Sequence, residues 1–569
     1  MGIYNTIGYL TSKLRIFMKV FNIRPLHWTI ASIALLIGGS TTFSSCSKDN
    51  APTEETTKIE GTKLVLNVSG IDENQRISTK GATHTDGTEA ARTKVLEFAE
   101  FDAVLETSNN LPASVSQSLA KTAAANGSSA SKRAAAIENG VKYRLYLFSQ
   151  DGTQLLSSEQ FTAGTQGTID VTQGTTYKWV ALSYNSADDV PNVTTANTKI
   201  SLPGGKDILY ASGEVTVPTG GSTVNVPINI MFAHKFARLA VELNTQGMFA
   251  NMTGAKVAVA GIKTATIDVA NGTLSDLVSA DHEIPFANFT DIDPLYQDAK
   301  IAYTYTADPV AVPGGIKVNV SNLALRIDDN SIRQFSATPV NFAFNITPVL
   351  GNSHHLLVNL IESPLTIEGT RWARQNIYYQ AGHNPYRFHH TYAHTNARNT
   401  YFSFKGLVPD QFGKNSDPCA EVYPKGVWRQ ASESDFRKLT GVLGIGGKQT
   451  TYGSVNGRGY FEYDATGTAA PYPGNKLRFN FNGGSNSFAF VNGVLQINLA
   501  NYGNRAELWT GTSGLNIGGL FGFGAWYYHA ERGAFNIHND DLTANLLNVS
   551  AIGVDFIETQ LKNVRCVRN

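Results

Sequence analysis

Residues 141–148 read VKYRLYLF and end in the turn SQDG. Val141, Tyr143, Leu145 and Leu147 alternate with Lys142, Arg144 and Tyr146, and a period of two is the period of a strand. The pattern recurs. TKLVLNVS (62–69) alternates, TYKWVALSYN (176–185) is a strand run, and EVTVPTGGSTVNVPINIMF (214–232) holds two strands joined by a Gly-rich turn. AHKFARLAVELNT (233–245) alternates from Phe236 to Leu243. KVAVAGIKTATIDVANGTL, GIKVNVSNLALRI, NFAFNITPV and HHLLVNLIE continue the series, with no long amphipathic helix among them. Short strands with turns at regular spacing predict two β-sandwich domains in series, over 62–232 and 233–366.

Composition agrees with this. Charged residues make up only 16% of the chain, and Gly is abundant at 52 residues. Lys plus Arg equals Asp plus Glu at 46 each, so there is no basic arm, which argues against a nucleic-acid partner.

After about residue 367 the alternation weakens and aromatic, Asn and Gly content rises. SESDFRKLTG (432–441) predicts a helix: Ser432 caps it, Asp435 sits at the capping-box position, and Gly441 ends it. Residues 367–569 are expected to form an α+β domain.

The N-terminal end carries an apolar run of about a dozen residues, WTIASIALLIGG (28–39), where a spanning helix needs roughly 20. Lys19 and Arg24 precede it and small polar residues follow, which is the layout of a secretory signal over 1–45; Met18 makes a compact start for it. Cys46 follows directly. The sharper reading is a lipoprotein signal in which the Cys46 thiol is diacylated, since two or more chains anchor stably where one does not. Phe43 and Ser45 stand where a lipobox has Leu and Gly or Ala. In the ordinary signal reading Cys46 has no special role. Residues 46–61 form a polar tether.

Cys419 and Cys566 remain. In an exported chain a leftover pair is read as a bridge; two buried free thiols are the other reading. The loop GIDENQRISTKGATHTDG after the first strand holds Arg76. Arg92 and Arg133 are further loop arginines. Arg133 lies in an Ala-, Ser- and Asn-rich stretch (108–139) that reads as a loose helix or as disorder, and where nicking is easy.

With these residues in view, the first half resembles the fimbrillins, the type V pilins of Bacteroidales. The resemblance rests on Cys46, on TKLVLNVS followed by a loop arginine, and on VKYRLYLFSQDG, YKWVALSYNS, DILYASGEV and MFAHKFARLAV, over roughly 46–360. The last 200 residues resemble a C-type-lectin-like or formylglycine-generating-enzyme-like module through TRWARQNIYY, NPYRF, DPC (417–419), YPKGVWRQASESDF, ELWTGT and VRCVRN. The resemblance implies two tandem transthyretin-like β-sandwich pilin domains followed by a lectin-like adhesion domain. It also implies export as an outer-membrane lipoprotein, then cleavage after an arginine that removes the lipid and the first strand. Arg76 matches that position, leaving Ile77 as the new N-terminus. The vacated groove then takes a strand from another fimbrial subunit. Shaft pilins end in a donor strand; this chain ends in the lectin-like module, held by Cys566. A subunit that accepts and does not donate belongs at the fimbrium tip, with a host or bacterial surface glycan or glycoprotein as ligand. A surface glycan-binding lipoprotein that never polymerises is the alternative.

Other chemistry is weakly signalled. His383, His389, His390 and His394 cluster, and the last two are four apart, as a metal-binding helix would have them. Their segment carries turn residues, so polar aromatic surface is expected instead. HNDD (538–541) offers calcium-type oxygens but lacks the alternating carboxylates of an EF-hand loop. Trp509, Trp526, Tyr527 and Tyr528 with Asn539 and Asp540 are candidate sugar-binding residues, and equally candidates for the module's core. No G-x-S-x-G, H-E-x-x-H or P-loop occurs, and both late cysteines read as structural. The chain is therefore expected to be no enzyme and to need no cofactor.

Overall fold

The computed structural model describes residues 61–72, 94–108, 134–221, 224–310, 314–409, 416–442, 445–491, 494–517, 521–532, 538–545, 550–551, 554–555 and 560–569. Cys46, Arg76, Ile77, Arg92 and Arg133 lie outside these residues, as does most of the Ala-rich stretch.

The described chain is mainly β. Twelve strands suffice to follow it: β1 (Thr62–Asp72), β2 (Val95–Glu97), β3 (Phe101–Ser108), β4 (Ala134–Ala135), β5 (Lys142–Ser149), β6 (Leu155–Thr162), β7 (Gly167–Asp170), β8 (Thr176–Ser183), β9 (Lys199–Ser201), β10 (Leu209–Thr216), β11 (Val224–His234) and β12 (Ala237–Gly247). The first sheet runs β4-β1-β11-β10-β8-β5-β6, with β7 also bonded to β1. Tyr143, Leu145 and Leu147 of β5 pack with Trp179, Ile228 and Ile230 in one core. Tyr146 and Phe148, on the opposite face, pack with Val180, Leu182, Phe236 and Ile267 in another. Burial on both faces explains why the alternation of VKYRLYLF gives way to a continuous apolar run at its end.

The Gly-rich turn after β10 does not close a simple hairpin. β10 and β11 pair only at Leu209–Tyr210 and Ala233–His234, the ends remote from that turn. From there β11 diverges and takes β1 as a parallel neighbour from Thr62 to Ile71.

A second sheet has β12 antiparallel to Tyr296–Thr306 and parallel to Ser353–Glu362. It shares a core with the sheet of Asn251–Ala260, Ile316–Arg326 and Val340–Phe344: Leu239, Val241, Leu356 and Val358 meet Val257, Val318 and Phe342. The division at residue 232 does not partition the strands. β3 pairs with Ser353–Glu362, and β2 pairs with β3, so residues 95–108 belong to the second sheet.

In the last 200 residues, Cys566–Arg568 lies between Thr370–Trp372 and Trp428–Gln430 in a four-stranded sheet that also holds Leu365–Ile367. The helix α1 spans Glu433–Thr440. Both halves of its capping box form, Ser432 to the Asp435 amide and Asp435 back to the Ser432 amide, and Gly441 ends it at φ 77°. It is the one α-helix among the described residues. None of their helices is long and apolar enough to cross a membrane.

Candidate functional site

β1 is held on both edges. Its parallel neighbour β11 takes one edge, and β7 (Lys63–Leu66 against Gly167–Asp170) and β4 (Ile71–Asp72) share the other. Leu64, Leu66 and Ile71 are fully buried in the first core, against Ile169, Ile228 and Ile230. Burial of three such side chains contributes roughly 2 kcal/mol each. The pocket for Leu66 depends on Gly167: a Cβ there would lie 2.6 Å from the Phe161 ring and 3.1 Å from Leu66 Cδ1. The register shifts between Val68 and Gly70, and Gly70 has φ 122°, a conformation that glycine takes without strain. Polar side-chain contacts of β1 include Lys63 with Asp170 at 2.9 Å, Asn67 Nδ2 donating to Asn229 Oδ1 at 3.4 Å, and Thr62 Oγ1 accepting from Gln173 Nε2 at 2.9 Å.

Over Val224–Met231 the backbone of β11 is paired by β1 and not by β10. Taking β1 away therefore exposes one edge of β11, one edge of β7, and three apolar pockets between them. Unpaired backbone beside a row of apolar pockets is a strand-binding groove.

The other end of the chain is built differently. Cys566 bridges to Cys419 across 147 residues, with Cα atoms 5.6 Å apart. Trp428–Gln430 pairs with all three residues of Cys566–Arg568, and Ala373 N donates to Cys566 O. Leu561 to Arg568 are buried without exception. Arg565 donates to Asn376 and to the carbonyls of Ala373, Arg374 and Arg478.

The four aromatic candidates, Trp509, Trp526, Tyr527 and Tyr528, do not assemble on one surface. Trp509 is wholly buried and donates from Nε1 to the Phe402 carbonyl at 3.0 Å. Tyr528 is wholly buried, stacked on Phe436 at 5.1 Å, with its hydroxyl 3.1 Å from that of Tyr463. Neighbouring strand residues face opposite ways. Trp526 sides with Tyr528 in one core, and Tyr527 sides with Trp509 in another. Each of the half-buried rings already has a cation over it, Arg437 on Trp526 and Lys562 on Tyr527. Asn539 and Asp540 lie on the next strand, His538–Asn545, opposite Glu531 and Ala530.

The four histidines find separate partners. His383 pairs with Asp298 at 2.7 Å and stacks on Tyr296 at 3.7 Å. His389 stacks on Tyr378, His390 Nε2 bonds the Phe249 carbonyl, and His394 Nε2 bonds the Gly459 carbonyl. No metal-type cluster occurs among the described residues. The expectation of polar surface needs correcting for His390, which is buried; His389 is half-buried, and desolvation of its ring, with His390 and Arg565 nearby, pushes it down to about 4 and keeps it neutral.

No family model matches the chain, and no curated protein matches it. Solved structures are similar to part of it. A candidate cell adhesion protein from Bacteroides fragilis is 16% identical over 43% of this chain and 86% of its own, with a TM-score of 0.30. A fimbrial assembly protein from Parabacteroides distasonis is 13% identical over 38% and 82%, with a TM-score of 0.24. A fimbrial anchor protein from Porphyromonas gingivalis is 12% identical over 41% and 91%, with a TM-score of 0.23. At such scores the likeness carries no argument about topology or role.

Proposed function

We propose that this chain is a fimbrial tip subunit and adhesin. It is exported as a lipoprotein through Cys46, cut after Arg76, and joined to another subunit by a strand that replaces β1. In this reading residues 62–366 act as two pilin-type β-sandwich domains, and residues 367–569 as a lectin-like adhesion domain with no enzymatic task. The observation that carries the reading is the contrast between the two ends. β1 is the first described strand, it fills a single core, and its removal opens a groove. The strand Cys566–Arg568 is bonded on both sides, as β1 is, but it is also tethered by a disulfide to Cys419, so it is not free to be donated.

Mass spectrometry of the N-terminus of the native surface protein tests this. A chain beginning at Ile77 without lipid is the expected result. A lipidated Cys46 on the mature protein would sink the reading. The protein would then be a resident surface lipoprotein that keeps β1, with glycan binding as its task.

A further inference from the structure

Residues 94–108 come from the same stretch of sequence as β1, yet their contacts are of another kind. β3 hydrogen-bonds along its whole length to Ser353–Glu362. Phe101 and Ala103 fill the core that the second sheet shares with the sheet of Asn251–Ala260, Ile316–Arg326 and Val340–Phe344, where Phe101 meets Phe335 edge-on at 5.4 Å and Phe98 meets Phe342 at 5.3 Å. Val104 points the other way, into the core of the last 200 residues, beside Ile361, Trp428 and Cys566. The polar ties run to both bodies. Tyr472 OH donates to the Glu100 carbonyl at 2.7 Å, and Thr468 Oγ1 donates to the Ala99 carbonyl. Ser336 N donates to Glu100, and Arg371 pairs with Glu97 at 2.5 Å. Asp102, buried, accepts from Arg568 Nη2 at 3.1 Å.

We infer that β1 and the β2–β3 hairpin have opposite fates: β1 is exchangeable, while the hairpin is a clasp that joins the second sheet to the C-terminal module and stays bound when the backbone is cut on both sides of it. The half that concerns β1 rests on the function proposed above. The half that concerns the hairpin rests on its own contacts. A strand with one face in each of two cores cannot leave without opening both. β1 fills a single core. The clasp also separates the candidate cuts. Cleavage after Arg76 or Arg92 frees β1 and leaves the hairpin covalently attached. After Arg133 the hairpin and β1 would leave the covalent chain as one fragment, held by these contacts together with the pairing of β1.

The test uses the full chain with two specific protease sequences inserted, one between Asp72 and Lys94 and one between Ser108 and Ala134. The protein is folded first, cut at both, and incubated with an excess of a labelled peptide of the β1 sequence. Native size-exclusion chromatography with mass spectrometry then assigns each fragment. The expected result is that the hairpin fragment co-elutes with the body until denaturant is added, while labelled peptide replaces the β1 fragment. Elution of the hairpin fragment by itself in native buffer would overturn the clasp. If β1 stays and the hairpin stays, strand exchange fails as a function and the clasp stands. Phe101→Leu is expected to preserve retention and Phe101→Ser to lower it; equal retention in both would overturn the packing argument.

Discussion

Burial pushes the Asp102 carboxyl up to about 6, although Arg568 beside it pulls the other way. Two buried charges can cost more in lost hydration than their attraction returns. Between about pH 4 and pH 6 the folded chain holds a proton that the unfolded chain has released. The contribution of Asp102 to stability is therefore full below about pH 4 and is lost as pH rises through 6. Asn at this position is neutral throughout, and its side-chain oxygen can still accept the Arg568 bond. Asp102→Asn is expected to match the wild type in urea near pH 4 and to unfold at higher urea near pH 7.5. Equal midpoints at both values would show that the ion pair offsets its own burial. The same non-local burial made the aromatic candidates unreadable in sequence. WYYH gives no local sign of which rings face a core, because ring and cation partners of Trp526 and Tyr528 (Arg437, Phe436, Tyr463 and Phe479) lie 49 or more residues away.

At the scale of the element, β1 makes a sharp prediction. Gly167 is small because Phe161 and Leu66 occupy the space a side chain would need. Gly167→Val overpacks that pocket, which typically costs about 1–3 kcal/mol. Leu66→Ala in the same chain removes one of the two crowding groups, the Phe161 ring being the nearer, and should recover part of the loss. A urea double-mutant cycle measures the coupling, and additive effects would mean that the two residues do not share a pocket. The helix α1 offers an independent measure. Ser432→Ala removes an oxygen that caps the Asp435 amide and should cost about 1 kcal/mol, with Ser432→Thr nearly neutral. α1 and β5 were legible because their signals are local: a cap three residues from its partner, an alternation within eight residues. β3 was not. Phe101 to Val104 are all buried, with cores on both faces, so FDAVLETS lacks the alternation that marks a half-exposed strand. The parallel pairing of β1 with β11 joins residues 162 apart, as in Asn67 and Asn229, and nothing local in either run records it.

For the whole molecule, the disulfide closes a loop of 147 residues, and the chain-entropy model gives such a loop about 4–5 kcal/mol. The effect should be confined to one part of the molecule. Cys419 and Cys566 lie in a core with Val427, Trp428, Trp509 and Val564, and that core reaches the clasp through Val104. The first sheet shares none of it: its cores are formed by residues 64–71, 141–236 and a few side chains from 265–307. Cys419→Ala with Cys566→Ala is therefore expected to destabilise the C-terminal module and β3 together, and to leave the pairing of β1 with β11 unchanged. Amide hydrogen exchange reads this directly. Protection should fall at Trp428–Gln430, Cys566–Arg568 and Phe101–Ser108 and hold at Thr62–Ile71 and Val224–Met231. Loss of protection at β1 as well would make the groove and the C-terminal module one cooperative unit. Filling the groove would then stiffen the distal module. Independent loss, the expected outcome, means that a partner strand at one end leaves the other end unchanged.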